Sequence, residues 1–332
     1  MVCLACLGLS LCAADKKPVV LRLGFFPNIT HAQALYARAT GLFEKKLPIR
    51  WTAFNAGPTA MEALFTDDID ATFIGPGPAI NGYVKSHGEK FVIIAGAASG
   101  GAALVVRNDA GITTDRDFNG KTIATPQLGN TQDISARTWF REKGYRETAY
   151  GGTVNLIALS NPDQLTMFRQ KQVDAAWTIE PWVSRLALEA GGRIFLDEKD
   201  LWPEGRYVTT QLIISRAFLR DHAEEVRELL KAHVHVTQLI TADPAAATAI
   251  LNQQIRKDTG RALPVKVIQQ AMRRVQLTWD PIASSLYKDA RDAHKIHFLR
   301  REPDLTGIYD LTLLNQVLAE DRLPAVTNQA PE

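Results

Sequence analysis

The chain has 332 residues, 46% hydrophobic and 22% charged, with 38 Lys and Arg against 36 Asp and Glu for a formal charge of +2. That length suits two lobes rather than one core, and the composition is that of a soluble globular protein. The near-neutral charge, with basic residues scattered among acidic ones, gives no electrostatic case for nucleic acid.

All three cysteines, Cys3, Cys6 and Cys12, lie in the first twelve residues. The run Met1 to Leu11 is apolar and ends at Cys12-Ala13-Ala14, before Asp15-Lys16-Lys17. An apolar segment followed by small residues reads as a secretory signal over 1–14, cleaved after Ala14, although no Lys or Arg precedes it. The alternative is a lipid anchor on Cys12. Cleavage after Ala14 leaves an exported chain without cysteine, hence without a disulfide or a thiolate nucleophile. No later apolar run approaches the ~18 residues of a membrane span.

From Val19 onward short apolar runs alternate with helical patterns, which predicts an α/β fold. Val19–Phe25 reads as a strand. A helix follows from His31 to Thr40, with Thr30 and Gln33 as a capping box and Gly41 as its stop. Ile49–Phe54 is the next strand, and Gly57-Pro58 starts a helix with proline in its first turn. Ile69–Ile74 is a strand broken by Gly75-Pro76-Gly77-Pro78. Phe91–Ala95 and Ala102–Val106 are two more strands, joined by a turn at Ser99-Gly100-Gly101.

The pattern then restarts. Lys121–Ala124, Val154–Leu159 and Val173–Trp177 read as strands, and helices open at Gln132, Asn161-Pro162 and Glu180-Pro181. Tyr207–Ile214 is a long strand that returns the chain to the first unit, and the segment after Arg216 is mostly helical. The expected organisation is one lobe of 18–107 plus 204–323, a second of 108–203, and a disordered tail over 324–332. Two crossings between lobes make a hinge, and a hinge implies an inter-lobe ligand cleft.

Five loops of small or turn residues join strand ends to helix starts: Asn28–His31, Ala56–Thr59, Gly75–Pro78, Leu128–Gln132 and Thr178–Pro181. Ligands of open α/β sheets sit beyond the carboxyl ends of strands, where helix N-termini offer free N–H groups. Several such termini on one cleft suit a small anion without a buried lysine. His31, Asn130 and Gln132 are candidate neutral donors. Glu180 is either a helix-start carboxylate or a partner for a ligand ammonium, with Trp182 packing over an alkyl group.

Other signals carry less. Asn119-Gly120-Lys121-Thr122 lacks the earlier glycine of a phosphate loop and precedes a strand. His233 and His235 face different ways on a helix. His294 and His297 have no third ligand in view. No cofactor or metal is expected.

Leu23-Gly24-Phe25-Phe26-Pro27-Asn28 with Thr30–Leu35, then Phe54–Pro58, Ile69–Gly75, Leu128–Asp133 and Asp174–Trp182, resemble in order the signatures of the nitrate/sulfonate/taurine class of periplasmic solute-binding proteins. The likeness is nearest to the aliphatic-sulfonate branch. It implies a two-lobed, type II-like periplasmic binding protein fold that closes on a small anion or zwitterion. It also implies a monomer that delivers its ligand to an ABC permease in the inner membrane. Carried over by position, the cleft would be lined by Asn28, His31, Gly57, Pro58, Gly77, Pro78, Ser99, Gly101, Asn130, Thr131, Gln132, Glu180 and Trp182. An aliphatic sulfonate is the favoured ligand, although the 75–78 loop lacks the hydroxyl many sulfonate binders use. Taurine, nitrate, an aromatic carboxylate and a thiamin pyrimidine are alternatives. An enzyme using His31 and Glu180, or a ligand sensor, is the reading from a different class.

Overall fold

The computed structural model describes residues 19–45 and 47–329, so the signal or lipid-anchor segment over 1–14 lies outside the described residues. Two mixed sheets organise the chain. The first unit contains β1 (Leu21–Phe25), α1 (Ala32–Thr40), β2 (Ile49–Ala53), α2 (Gly57–Phe65), β3 (Ala71–Ile74), α3 (Pro76–Lys85) and β4 (Phe91–Gly100). The second holds β5 (Ala102–Arg107), β6 (Thr122–Thr125), α4 (Thr131–Glu142), β7 (Asn155–Ala158), α5 (Asn161–Arg169), β8 (Ala175–Ile179), α6 (Trp182–Glu189) and β9 (Gly192–Asp197). The chain then returns through β10 (Val208–Ser215) to α7 (Arg216–Asp221), α8 (Ala223–Ala242), α9 (Pro244–Thr259), α10 (Val265–Arg274), β11 (Val275–Leu277), α11 (Ala283–Lys295) and α12 (Thr312–Glu320).

The strand orders are β11-β4-β10-β3-β1-β2 and β7-β6-β8-β5-β9. Within them β2-β1-β3 and β7-β6-β8 are parallel, so their carboxyl ends point the same way in each lobe. Strands β3, β4 and β8 are buried at every position and carry almost no polar side chains. In the second lobe Phe118 meets Trp139, Phe140 and Phe195 edge-on on one face of the sheet. Val105, Phe168 and Leu186 belong to a separate buried cluster. Truncating Phe168 would cost about 3–5 kcal/mol.

Four expectations change. The strand Ala102–Arg107, assigned to the first lobe, pairs with β8 and β9 in the second sheet. The supposed turn at Ser99-Gly100-Gly101 is therefore the crossing between lobes. Gly100 and Gly101 both take left-handed backbone, φ +79° and +82°. A Cβ on Gly101 would stand 2.6 Å from Val275, so the crossing requires glycine twice over. The second crossing lies between Trp202 and Val208.

The Thr30/Gln33 capping box does not form. The amide of Gln33 instead donates to Ala97 O at 2.7 Å and Thr237 Oγ1 at 3.3 Å. Strands β9 and β11 were not anticipated. The described part of the tail, expected to be disordered, folds back on α12. The N–H of Val326 donates to Asn315 Oδ1 at 2.9 Å, and Asn315 Nδ2 donates back to Val326 O at 3.0 Å.

Candidate functional site

The loops after β1, β3, β6 and β8 meet where the lobes face each other. Between them lies a narrow cavity of about 20 Å³ lined by residues of both lobes, with Asn28, Thr30 and His31 on one side and Asn130, Thr131 and Gln132 on the other. Its remaining wall includes Phe26, Asn55, Gly75, Asn161, Thr209 and Thr210. In this arrangement the space holds about one water-sized group, so a larger headgroup needs the lobes set further apart.

Among the described residues, no Lys, Arg, Asp or Glu lines this cavity. Its polarity comes from neutral donors. His31 is buried and stacks on Phe26 at 4.4 Å, and its Nδ1 accepts the Phe26 N–H at 3.3 Å. The proton therefore sits on Nε2, which is a donor. Burial pushes the imidazole down to about 3, so it stays neutral at physiological pH. Thr30 is fully buried, and its hydroxyl has no partner among the described residues. A buried hydroxyl left unpaired is costly, and a ligand oxygen at the cavity would satisfy it.

The α4 edge is held rigidly. Asn130 Oδ1 accepts the Gln132 N–H at 3.0 Å, a helix cap. Asp133 accepts from Thr125 Oγ1 at 2.8 Å, Gly129 N at 2.9 Å and Arg137 Nε at 3.0 Å, which fixes the β6–α4 loop. Asn161 Oδ1 accepts from Thr178 Oγ1 at 2.9 Å, which leaves its Nδ2 as the free donor end.

Of the thirteen residues named from the sequence, Asn28, His31, Asn130, Thr131 and Gln132 surround the cavity. Trp182 bridges the lobes just outside it, where its Nε1 donates to Asn28 Oδ1 at 3.2 Å. The others sit elsewhere. The Gly77 N–H donates to Thr131 Oγ1 at 3.2 Å, a lobe-to-lobe contact. Gly57 packs on Pro78, which a Cβ would approach to 2.3 Å, and Pro58 follows it half-buried in the first turn of α2. Ser99 and Gly101 belong to the hinge, where Ser99 Oγ accepts the Tyr207 N–H at 3.3 Å.

Glu180 is the clearest departure. Its buried carboxylate lies 2.8 Å from Arg274 Nε and accepts from Ser184 Oγ at 2.9 Å and Ser184 N at 3.1 Å. Arg274 also reaches Asp197 at 2.8 Å. Burial, against the pull of Arg274 and Ser184, raises the Glu180 carboxyl to about 7. Both carboxyl oxygens are already taken up by Arg274 and Ser184 inside the protein and are unavailable to a ligand ammonium.

Thr30, Asn55, Asn161, Thr209 and Thr210 were not named. Asn161 and Thr30 carried a signal, but it was read as helix capping. Thr209 and Thr210 lie inside a strand and carried none. Among the described residues, no group of three His, Cys, Asp or Glu is placed to hold a metal, and no helix is long and apolar enough to cross a membrane.

Two lobes, a double-crossing hinge and a polar cavity between opposed helix starts define a type II periplasmic binding protein fold. The chain belongs to the NMT1-like family, whose model matches residues 14–253. An Escherichia coli (strain K12) protein named for aliphatic-sulfonate binding is 28% identical over 199 residues, which is 59% of this chain and 60% of that protein. The match thus spans under two thirds of that relative's length. The MOPS-bound alkanesulfonate-binding protein SsuA of Xanthomonas axonopodis pv. citri superposes with a TM-score of 0.73 at 19% identity, over 89% of this chain and 99% of that one. The periplasmic nitrate-binding protein NrtA of Synechocystis PCC 6803 gives 0.78 at 14% identity, over 93% and 92%.

Proposed function

We propose that this protein is the extracytoplasmic solute-binding component of an ABC importer and captures a small organic anion, with an aliphatic sulfonate favoured. The observation that carries this reading is the inter-lobe cavity furnished only with neutral donors, including the unpaired Thr30 hydroxyl and the neutral His31. Preorganised dipoles of this kind solvate a monoanion without a counter-ion. The names of the relatives support the ligand class and an exported location. The ligand would then pass to a membrane permease.

No bond-breaking step is proposed. A histidine held down to about 3 is a poor base at neutral pH, and Glu180 is occupied by Arg274. Taurine loses its motive for the same reason. Nitrate is the second reading, favoured by the narrowness of the cavity.

A thermal-shift panel on the chain from Asp15 onward tests the reading, with alkanesulfonates, nitrate, taurine, aromatic carboxylates and thiamin pyrimidines. A ligand at a hundred times its Kd adds about 2.7 kcal/mol, visible as several degrees. Thr30→Val should lower affinity for the responding anion about tenfold while leaving ligand-free stability unchanged or raised. No response to any anion after stripping bound solute would remove the reading.

A further inference from the structure

A second cavity, of about 440 Å³, opens outward from the first and shares Asn28, Asn55 and Asn161 with it. We propose that this vestibule is an aryl-binding subsite, and that the solute is an organic anion whose aromatic ring lies there while its charged group occupies the inner cavity. This rests on the anion-binding reading above, keeps its charged headgroup, and replaces the aliphatic tail favoured there with an aromatic one.

The walls carry the argument. Phe54, Trp182 and Leu263 line the vestibule together with four prolines, Pro27, Pro162, Pro181 and Pro264. These are flat or rigid apolar surfaces, and they come from both lobes. Flat faces bury a ring with little loss of rotamer freedom on either side, whereas a flexible alkyl chain must be immobilised bond by bond.

With the lobes together the indole wall is held from two sides. Trp182 Nε1 is fixed by Asn28 at 3.2 Å, and the Arg185 guanidinium lies over its ring at 4.7 Å from the centroid. Arg185 is in turn held by Glu189 at 2.9 Å.

Charge at the vestibule excludes an amine-bearing tail. Its two carboxylates, Glu189 and Asp258, are already paired with Arg185 and Arg38. The Arg261 side chain, exposed at the rim, has no ion pair among the described residues. Among the described residues, the outer pocket therefore has one unpaired cation, Arg261, and no free anion.

The wall from Ile255 to Pro264 also lies past residue 253, where the match to the family model ends. Ligand selection would thus be set by a segment outside the part of the chain that defines the family.

The test is calorimetric titration of the chain from Asp15 onward with methanesulfonate, hexanesulfonate and benzenesulfonate, the last two matched at six carbons. Benzenesulfonate should bind at least fivefold tighter than hexanesulfonate and at least tenfold tighter than methanesulfonate. Leu263→Ala and, separately, Phe54→Leu should weaken benzenesulfonate about tenfold and methanesulfonate less than twofold. Methanesulfonate binding as tightly as benzenesulfonate would overturn the subsite while leaving the anion site intact. Both variants weakening the two ligands equally would do the same. Failure of all three sulfonates to bind would overturn the anion reading and this one together.

Discussion

Trp182 donates its indole N–H to the side-chain carbonyl of Asn28 at 3.2 Å, from the first residue of α6 in one lobe to the β1–α1 loop of the other. The bond exists only when the lobes are together, and it stands where the inner cavity meets the vestibule. It therefore stabilises the closed form without contributing to either lobe's own fold. Asn28→Ala should raise the ligand dissociation rate about three- to tenfold, the equivalent of about 1 kcal/mol. Ligand-free unfolding should change by less than about 0.5 kcal/mol. Stopped-flow tryptophan fluorescence reads the first and urea denaturation the second. An unchanged dissociation rate would mean that the bond does not hold the lobes shut.

A second lobe-to-lobe contact depends on the absence of side chains. Gly75 leaves room for Thr131, whose Oγ1 would stand 2.4 Å from a Cβ at position 75. The same hydroxyl accepts the Gly77 N–H at 3.2 Å. Gly75→Ala should hold the lobes apart, so that saturating ligand no longer contracts the particle in small-angle scattering and affinity falls at least tenfold. Adding Thr131→Ala removes the obstructing oxygen and should restore part of the contraction. Non-additivity of this kind identifies direct contact. Additive losses in the double variant would place the defect elsewhere.

Arg274 links the hinge to the ligand loops. It ends α10, next to β11, which pairs with β4 at Gly100, and it reaches Glu180 and Asp197 of the other lobe at 2.8 Å each. Removing one partner of a buried pair leaves the other charge uncompensated, which costs about 3–5 kcal/mol. Glu180→Gln should cost about 3 kcal/mol of unfolding free energy, somewhat eased by Asp197. A role in holding a ligand ammonium predicts a loss confined to taurine. The ion pair predicts equal losses for taurine and for methanesulfonate, because both depend on the same hinge. Calorimetry on the two ligands separates the accounts.

Much of this architecture was legible in the chain because local rules agreed with the tertiary outcome. The β1–α1 and β6–α4 loops carry their turn chemistry within a few residues, so Asn28, His31 and Asn130–Gln132 could be placed at a cleft from their positions alone. Glu180 could not be read correctly. Its partner lies 94 positions away, and a carboxylate at a helix start looks the same whether it faces a ligand or an arginine. Thr30 failed for a subtler reason. A threonine ahead of a helix resembles a cap, and only packing shows that its hydroxyl caps nothing. The hinge was misplaced by six residues because Gly100-Gly101 suits a hairpin turn as well as a change of sheet.

Two buried carboxyls raised to about 7, Glu180 and Glu198, shape the pH response in the same sense, and Glu198 is the one outside the ion pair with Arg274. Its carboxylate is buried, with Trp177 Nε1 donating to Oε2 at 2.6 Å and Ser135 Oγ to Oε1 at 2.9 Å. Burial, against the pull of the two donors and Lys288 and with a further push from Asp197, raises it to about 7. Asp289 of α11 is also buried and raised, first by burial and then by the charge of Glu198. A carboxyl raised in the folded state binds its proton more tightly there than in the unfolded chain. Stability is therefore greatest below the ordinary 4.5, falls as pH rises from there to about 7, and is level above. For Glu198 that interval is worth about 3 kcal/mol. His31 and His233 act in the opposite sense. They are pushed down to about 3 and about 4, so their contribution is full above 6.5 and is lost as pH falls. The comparison must therefore be with Glu198→Gln, whose amide mimics the protonated acid and does not titrate. Urea denaturation at pH 5, 6, 7 and 8 should show the wild-type protein losing about 2–3 kcal/mol more than the variant across that range. Parallel profiles would mean that Glu198 is ionised throughout, stabilised by its donors beyond what its burial opposes.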